Sequence, residues 1–176
     1  MEQPSIILVS CGPFEKAFIR RIAEEVARAF KYPVSLTECS LDIARFYNPG
    51  RRQYDANGIL RVVSESSSRD AIRKMGLFSV DLYIPILTHL FGQATLNGFA
   101  GIASLYRLRN ELYGLEPDQT LLIRRFSKVV VHELGHTFGL IHCNHPVCVM
   151  RPSNYVEDLD QKEIHFCRQC QSILTG

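Results

Sequence analysis

No stretch of this chain approaches the ~20 consecutive apolar residues that a membrane-spanning helix needs. The apolar run near its start, Ile6 to Val9, is too short for a secretory h-region, and Met1-Glu2-Gln3-Pro4 is not a basic leader. The net charge of +2 gives no electrostatic footprint for nucleic acid or an acidic lipid surface. Internal repeats and low-complexity segments are also missing, which sets aside solenoids and linker-like chains. These absences predict a cytoplasmic protein that binds neither membrane nor nucleic acid; a monomer is expected, although no sequence feature specifies the oligomeric state. In that compartment the six cysteines serve as metal ligands or free thiols rather than disulfides. A length of 176 residues with 46% hydrophobic and 22% charged composition predicts one domain, 1–176, with a full core.

The patterning predicts an α/β chain. Ile6 to Val9 is a buried strand, and Pro13 opens a helix in which Phe14, Phe18, Ile22, Val26 and Phe30 recur every four residues. That helix ends near Lys31, ahead of Pro33. A strand over 34–39 completes a β-α-β unit with parallel strands. A weaker helix follows over 53–63, flawed by Asn57-Gly58, and then a polar connection over 64–68. Strands are predicted over 75–83 and 89–94, separated by Pro85, and over 98–107. Pro117-Asp118 opens a long helix whose buried stripe is Leu122, Phe126, Val129 or Val130, Leu134 and Phe138. After Gly139 the periodicity stops. The last 37 residues carry four of the six cysteines and little apolar patterning.

Chemistry concentrates at the end of that helix, in His132-Glu133-Leu134-Gly135-His136-Thr137-Phe138-Gly139-Leu140-Ile141-His142. His132 and His136 are separated by about 40° around the axis and ~6 Å along it, so both imidazoles reach one ion. Glu133, about 100° round, suits a general base acting on a water at that ion. A continuing helix would turn His142 about 240° away from His136, so it becomes a third ligand only if the chain reverses. Gly139 stands where the reversal is needed, since glycine accepts positive φ at a helix end. Three nitrogen ligands leave a fourth position open, the arrangement of a catalytic zinc that activates water.

Beyond it, Cys143-x₄-Cys148 and Cys167-x₂-Cys170 offer four thiolates, enough for a closed tetrahedral structural zinc whose binding energy becomes folding energy. Two zinc ions per chain are therefore expected, Zn²⁺ in each case. His145, inside the loop, reads as exposed or as a donor to the ligands. His89 and His165 read as structural or solvated, and Cys11 and Cys39, without partner spacing, as small buried residues.

His132 to His142 is the metzincin zinc-binding pattern. Its continuation through Cys143, Cys148-Val149-Met150 and Cys167-Arg168-Gln169-Cys170 resembles the archaemetzincins, zinc metallopeptidases of archaea and vertebrates. The likeness extends upstream through Val80-Asp81-Leu82-Tyr83-Ile84-Pro85, Ser104 to Arg109 and Tyr113-Gly114. It implies a mixed, mainly parallel five-stranded sheet with a backing helix and an active-site helix. It also implies an upper part to about residue 139 and a small zinc-stapled lower part over 140–176. Met150 would lie beneath the zinc histidines, and the strand over 98–104 would be the edge that pairs with extended substrate. Lys128 departs from an acidic position of the family, and the residues after Met150 lack the tyrosine ligand of some metzincins, which leaves Tyr155 to pack.

The expected function is zinc-dependent hydrolysis of peptides or small proteins, with Glu133 as base. Two other readings compete with it. One is a site whose third ligand is a downstream glutamate, Glu157 or Glu163, and the other is a zinc-stabilised binding module with little turnover.

Overall fold

Four consecutive apolar residues, Ile6 to Val9, give the first strand apolar side chains on both faces, and the fold grows outward from it. A computed structural model describes residues 4–65 and 71–176. Strand β1 (Ser5–Cys11) is flanked in parallel by β2 (Val34–Glu38) and by β5 (Ala71–Phe78). Strand β9 (Ala100–Ser104) lies parallel to β5 on its other side, and β8 (Gly92–Ala94) closes the sheet antiparallel to β9. The order is β2-β1-β5-β9-β8, a mixed and mainly parallel five-stranded sheet as the resemblance implied.

Successive side chains of these strands supply two cores, because strand side chains alternate between faces. Ile6, Leu8, Met75, Leu77 and Ala103 pack with helices α1 (Lys16–Phe30) and α3 (Gln119–Thr137). Cys11, Phe78, Ala100 and Ile102 pack with α2 (Ala56–Glu65). Helix α1 buries Phe18, Ile22, Val26 and Phe30, the predicted four-residue stripe, and stops at Lys31 in a left-handed conformation. Each such side chain contributes roughly 1.5–3 kcal/mol relative to exposure. Of the predicted connection over 64–68, Ser64 belongs to α2 and residues 66–68 lie outside the described residues.

Three predicted elements divide differently in space. The strand expected over 75–83 ends at Phe78 and is interrupted over 79–81, where the Asp81 carboxylate accepts from Arg107 Nε and Nη2 at 2.8 and 2.6 Å and from Gln53 Nε2 at 3.2 Å. The break starts a second sheet, order β3-β4-β6-β7, from β3 (Tyr47–Asn48), β4 (Gln53–Asp55), β6 (Leu82–Ile84) and β7 (Leu87–Leu90). Residues 53–55, expected to be helical, are thus strand, and α2 begins only at Ala56. The strand expected over 89–94 divides at Phe91, with β7 in the second sheet and β8 in the first. The edge strand is corrected too: β9 is fully buried and paired on both sides, so the edge is β8.

Asp118 caps α3 by accepting the Leu121 N–H at 2.8 Å, as Pro117-Asp118 predicted. The helix is buried on every side from Arg125 to Gly135, because the chain beyond it folds back across its outer surface. That returning chain has two short helices, α4 (Val156–Gln161) and α5 (Arg168–Thr175). Its buried Cys148, Val149, Met150, Val156, Leu159 and Cys170 join the same core as α1 and α3. Arg125 holds α4 through Asp160 at 2.6–2.8 Å, and Lys128 Nζ donates to Leu159 O at 2.8 Å. No helix among the described residues is long and apolar enough to cross a membrane.

Cys11 and Cys39 correct a further expectation: they form a disulfide, with Cα atoms 4.8 Å apart. Cys11 ends β1, and Cys39 follows the neighbouring parallel strand β2, where its N–H bonds Ser10 O at 2.9 Å. Pairing of two parallel strands, rather than sequence spacing, brings the sulfurs together. Of six cysteines, four are free. Thiol titration of unfolded, metal-stripped protein is expected to find four reactive groups before reduction and six after; six without reductant would contradict the bridge.

Candidate metal centre

The last turn of α3 places His132 and His136 on one side with their Nε2 atoms 3.1 Å apart. His132 Nδ1 lies 2.8 Å from Val149 O, and His136 Nδ1 lies 2.7 Å from Leu140 O. A carbonyl oxygen only accepts, so each Nδ1 carries the hydrogen and each Nε2 keeps its lone pair. Two lone pairs facing each other at that distance repel unless a cation lies between them. Tetrahedral zinc with bonds of 2.0–2.1 Å needs ligand nitrogens about 3.3 Å apart, so the pair fits such an ion.

Past Thr137 the helix closes in a double hydrogen-bonded stop. Gly139 N–H bonds His136 O at 3.0 Å, and Leu140 N–H bonds Gly135 O at 3.0 Å, the pairing of a Schellman motif. Gly139 adopts φ +92°, where a side chain is strained. The reversal returns His142 to the other two histidines, with ring centroids 5.3 Å from His132 and 5.0 Å from His136. The donor nitrogens of all three lie within 4.8 Å of one another. Burial lowers the pKa of each, most strongly at His132, and so favours the neutral form that binds metal. Among the described residues neither Glu157 nor Glu163 joins this group.

Glu133 is buried beside them, and desolvation pushes its carboxyl up to about 8 against the opposing pull of Lys162. Edge strand β8 lies directly over it. A Cβ on Gly92 would stand 2.7 Å from Glu133 Cγ and 2.8 Å from Ile102 O, so only glycine lets strand and carboxylate approach this closely. Gly135 does the same below: a Cβ there would meet Met150 Sδ at 2.5 Å. Met150 therefore packs beneath the histidines, where the resemblance put it.

The four remaining cysteines form a second group. Cys143 and Cys167 sulfurs are 3.7 Å apart and those of Cys148 and Cys170 3.8 Å, with all four within 4.8 Å. The edge of a tetrahedron with 2.3 Å zinc–sulfur bonds is about 3.8 Å. Cys148 Sγ accepts the Cys167 N–H, and Cys143 Sγ accepts the His145 N–H. The Cys170 N–H holds the Cys167 thiol down at about 7, towards the thiolate. His145 is exposed and His165 uses its carbonyl to accept Val149 N–H; neither ring belongs to a donor group among the described residues.

A cavity of about 390 Å³ opens beside the histidines. Residues 87–92 form one wall, α3 from Val129 to Glu133 the floor, and residues 152–155 with Leu159 and Lys162 the other wall. Sequence reasoning missed much of this lining. His89, read as structural or solvated, faces the cavity, and Tyr155, read as packed, stands 68% exposed at its rim. Lys162 is the clearest omission: it is 2% exposed, and burial lowers its ammonium to about 8. A single lysine between Gln161 and Glu163 carries no signal that it is buried.

The model of peptidase family M54 matches residues 14–175. The archaemetzincin of Thermococcus kodakarensis is 37% identical over 174 residues, covering 94% of this chain and 92% of that protein. That of Saccharolobus solfataricus is 35% identical over 175 residues, covering 97% and 92%. Among solved structures, the archaemetzincin of Methanopyrus kandleri matches with TM-score 0.84 and 32% identity over 98% of this chain and 94% of that one. A zinc-dependent peptidase from Methanocorpusculum labreanum matches with TM-score 0.85 and 29% identity over 97% and 100%.

The turn at Gly139 gives a direct test. Gly139→Ala forces a side chain into positive φ at a cost of about 1–3 kcal/mol. Zinc affinity at the histidines, read by chelator competition, is expected to fall while the cysteine group keeps its metal. Unaltered histidine-site affinity would show that the reversal does not depend on glycine.

Proposed function

Because the chain belongs to peptidase family M54, we propose that it is a zinc metallopeptidase in which His132, His136 and His142 hold the catalytic ion. Cys143, Cys148, Cys167 and Cys170 hold a second, structural zinc, giving two per chain. The whole of 1–176 acts as one catalytic domain, with residues after Gly139 as the stapled lower part of the cleft. The observation that carries this reading is the convergence of three imidazole nitrogens beside a buried carboxylate in an open cavity.

Bound at the histidines, zinc supplies Lewis acidity, drawing the pKa of a water towards ~7 and polarising a carbonyl. Glu133 is the general base: its carboxylate takes the proton of the attacking water and passes it to the leaving nitrogen as the peptide C–N bond breaks. A base must be ionised to accept that proton, and the positive charge of Lys162 works in that direction against burial.

Substrate lies along β8. Phe91 O and Thr95 N–H bond partners across β9, so the alternation of an antiparallel ladder turns the backbone groups of Gly92 and Ala94 outward. An extended peptide can add there as a further strand, its scissile bond passing over Glu133. Peptides or small proteins are the substrate class this geometry suits.

Two measurements test the reading. Glu133→Gln is expected to keep both zinc ions by metal analysis while kcat/KM for a peptide library falls 10²–10⁴-fold, the usual worth of a general base. Wild-type turnover in that variant would sink the assignment. Ala94→Pro removes one outward N–H and leaves the β9 pairing intact, so KM for extended peptides should rise several-fold with kcat little changed, about one hydrogen bond's worth. An unchanged KM would place substrate elsewhere.

A further inference from the structure

Four consecutive carbonyls beneath the histidines are all occupied, and one buried lysine accounts for two of them. Cys148 O accepts Arg151 N–H at 3.0 Å, and Met150 O accepts Cys143 N–H at 3.0 Å. Lys162 Nζ donates to Val149 O at 2.8 Å and to Arg151 O at 2.7 Å, straddling Met150. Val149 O is also the acceptor for His132 Nδ1 at 2.8 Å. One oxygen therefore joins the lysine to a candidate zinc ligand.

The contacts close a circuit. Arg125 and Lys128 of α3 hold α4 through Asp160 and Leu159 O, and Lys162 stands at the C-terminal cap of α4. From there Lys162 grips the Met150 turn, and the turn's Val149 O holds His132, which lies on α3 again. Burying an ammonium costs several kcal/mol, and an apolar side chain of similar volume would fill the space without that cost. Such a side chain would leave Arg151 O without its ammonium donor and remove one of two donors from Val149 O. The hydrogen bonds, not the packing, are what a lysine adds here.

We propose that Lys162 is a positioning residue for the catalytic metal site, fixing the Val149 carbonyl that orients His132. The proposal rests on the reading of the histidines as zinc ligands. Partners that orient a metal-bound histidine commonly contribute 10–100-fold in affinity or activity. The cysteine group shares the loop but not this carbonyl, so the two sites should respond differently.

The test uses the full chain loaded with cobalt(II), whose bands at a thiolate site and at a histidine site are spectrally distinct, together with zinc competition at each site. Lys162→Met is expected to weaken the histidine site 10–100-fold while the thiolate-to-cobalt band and its affinity stay as in the parent. Lys162→Arg, which keeps charge and donors, should recover most of that loss. Histidine-site affinity unchanged in Lys162→Met, or both sites weakened alike, overturns the proposal. If Lys162→Met does not fold, Lys162→Gln, which keeps a donor without the charge, takes its place, and parent-like affinity there overturns the proposal equally. A parent chain that binds no cobalt at the histidines would overturn the metal reading and this proposal together; the variant results overturn the proposal alone.

Discussion

Had α3 continued one more turn past Thr137, His142 would point about 240° away from His136 and ~9 Å further along the axis. Two histidines on a helix face would remain, with no third nitrogen to meet them. The stop at Gly139 prevents this, and it depends on a backbone conformation that a side chain strains. From that reversal follow the convergence of the three imidazoles, the direction of the chain into the cysteine group and the closing of the cleft from below. Even His136 is oriented by it, since Leu140, the residue after the glycine, offers the carbonyl that fixes its Nδ1 hydrogen.

Above the helix the governing feature is a strand that changes sheets. Residues 87–94 leave the second sheet after Leu90 and enter the first at Gly92. This crossing carries a wall of the cavity and the edge strand in one continuous segment, so wall and edge hold a fixed relation to Glu133. Gly92 sets the separation, because any Cβ there would collide with Glu133 Cγ or with Ile102 O. The site is thus pinned between two glycines, one above Glu133 and one, Gly135, above Met150.

What could be read from the sequence was what repeats locally or has a strict spacing. The β1-α1-β2 unit follows from a four-residue apolar stripe between a short apolar run and the stretch 34–39, α3 from its Asp118 cap, and the donor groups from their spacing. The resemblance supplied the sheet and the place of Met150. Features set by tertiary neighbours were not legible. A run from 75 to 83 looks like one strand until Asp81 is seen to be held by Arg107 and Gln53. The resemblance made β9 the edge, but it is paired on both sides, and its Gly and Ala content instead matches close packing by β5, β8, α2 and α3. Cys11 and Cys39, 28 residues apart, become neighbours only because β1 and β2 pair in parallel. Lys162 resembles any surface lysine in a polar stretch, and only the return of the chain across α3 buries it.

The two donor groups are adjacent in the chain, and their physical coupling has a direction. Cys143 follows His142, and Cys148 precedes Val149, whose carbonyl faces His132. Residues 143–149 thus form a loop with a sulfur donor near each end and a histidine contact just outside each donor. Fixing the sulfurs shortens the range over which His142 and Val149 O can wander, which lowers the conformational entropy left to lose when the histidines gather. The reverse influence is weaker, because His132 and His136 stand on a helix already held by its cap, its core and α4. Fixing the sulfurs adds to the hold that the core, Arg125, Lys128 and Lys162 already have on the lower part. A metal held by the cysteine group would therefore add, from outside the cavity, to the preorganisation of the three histidines.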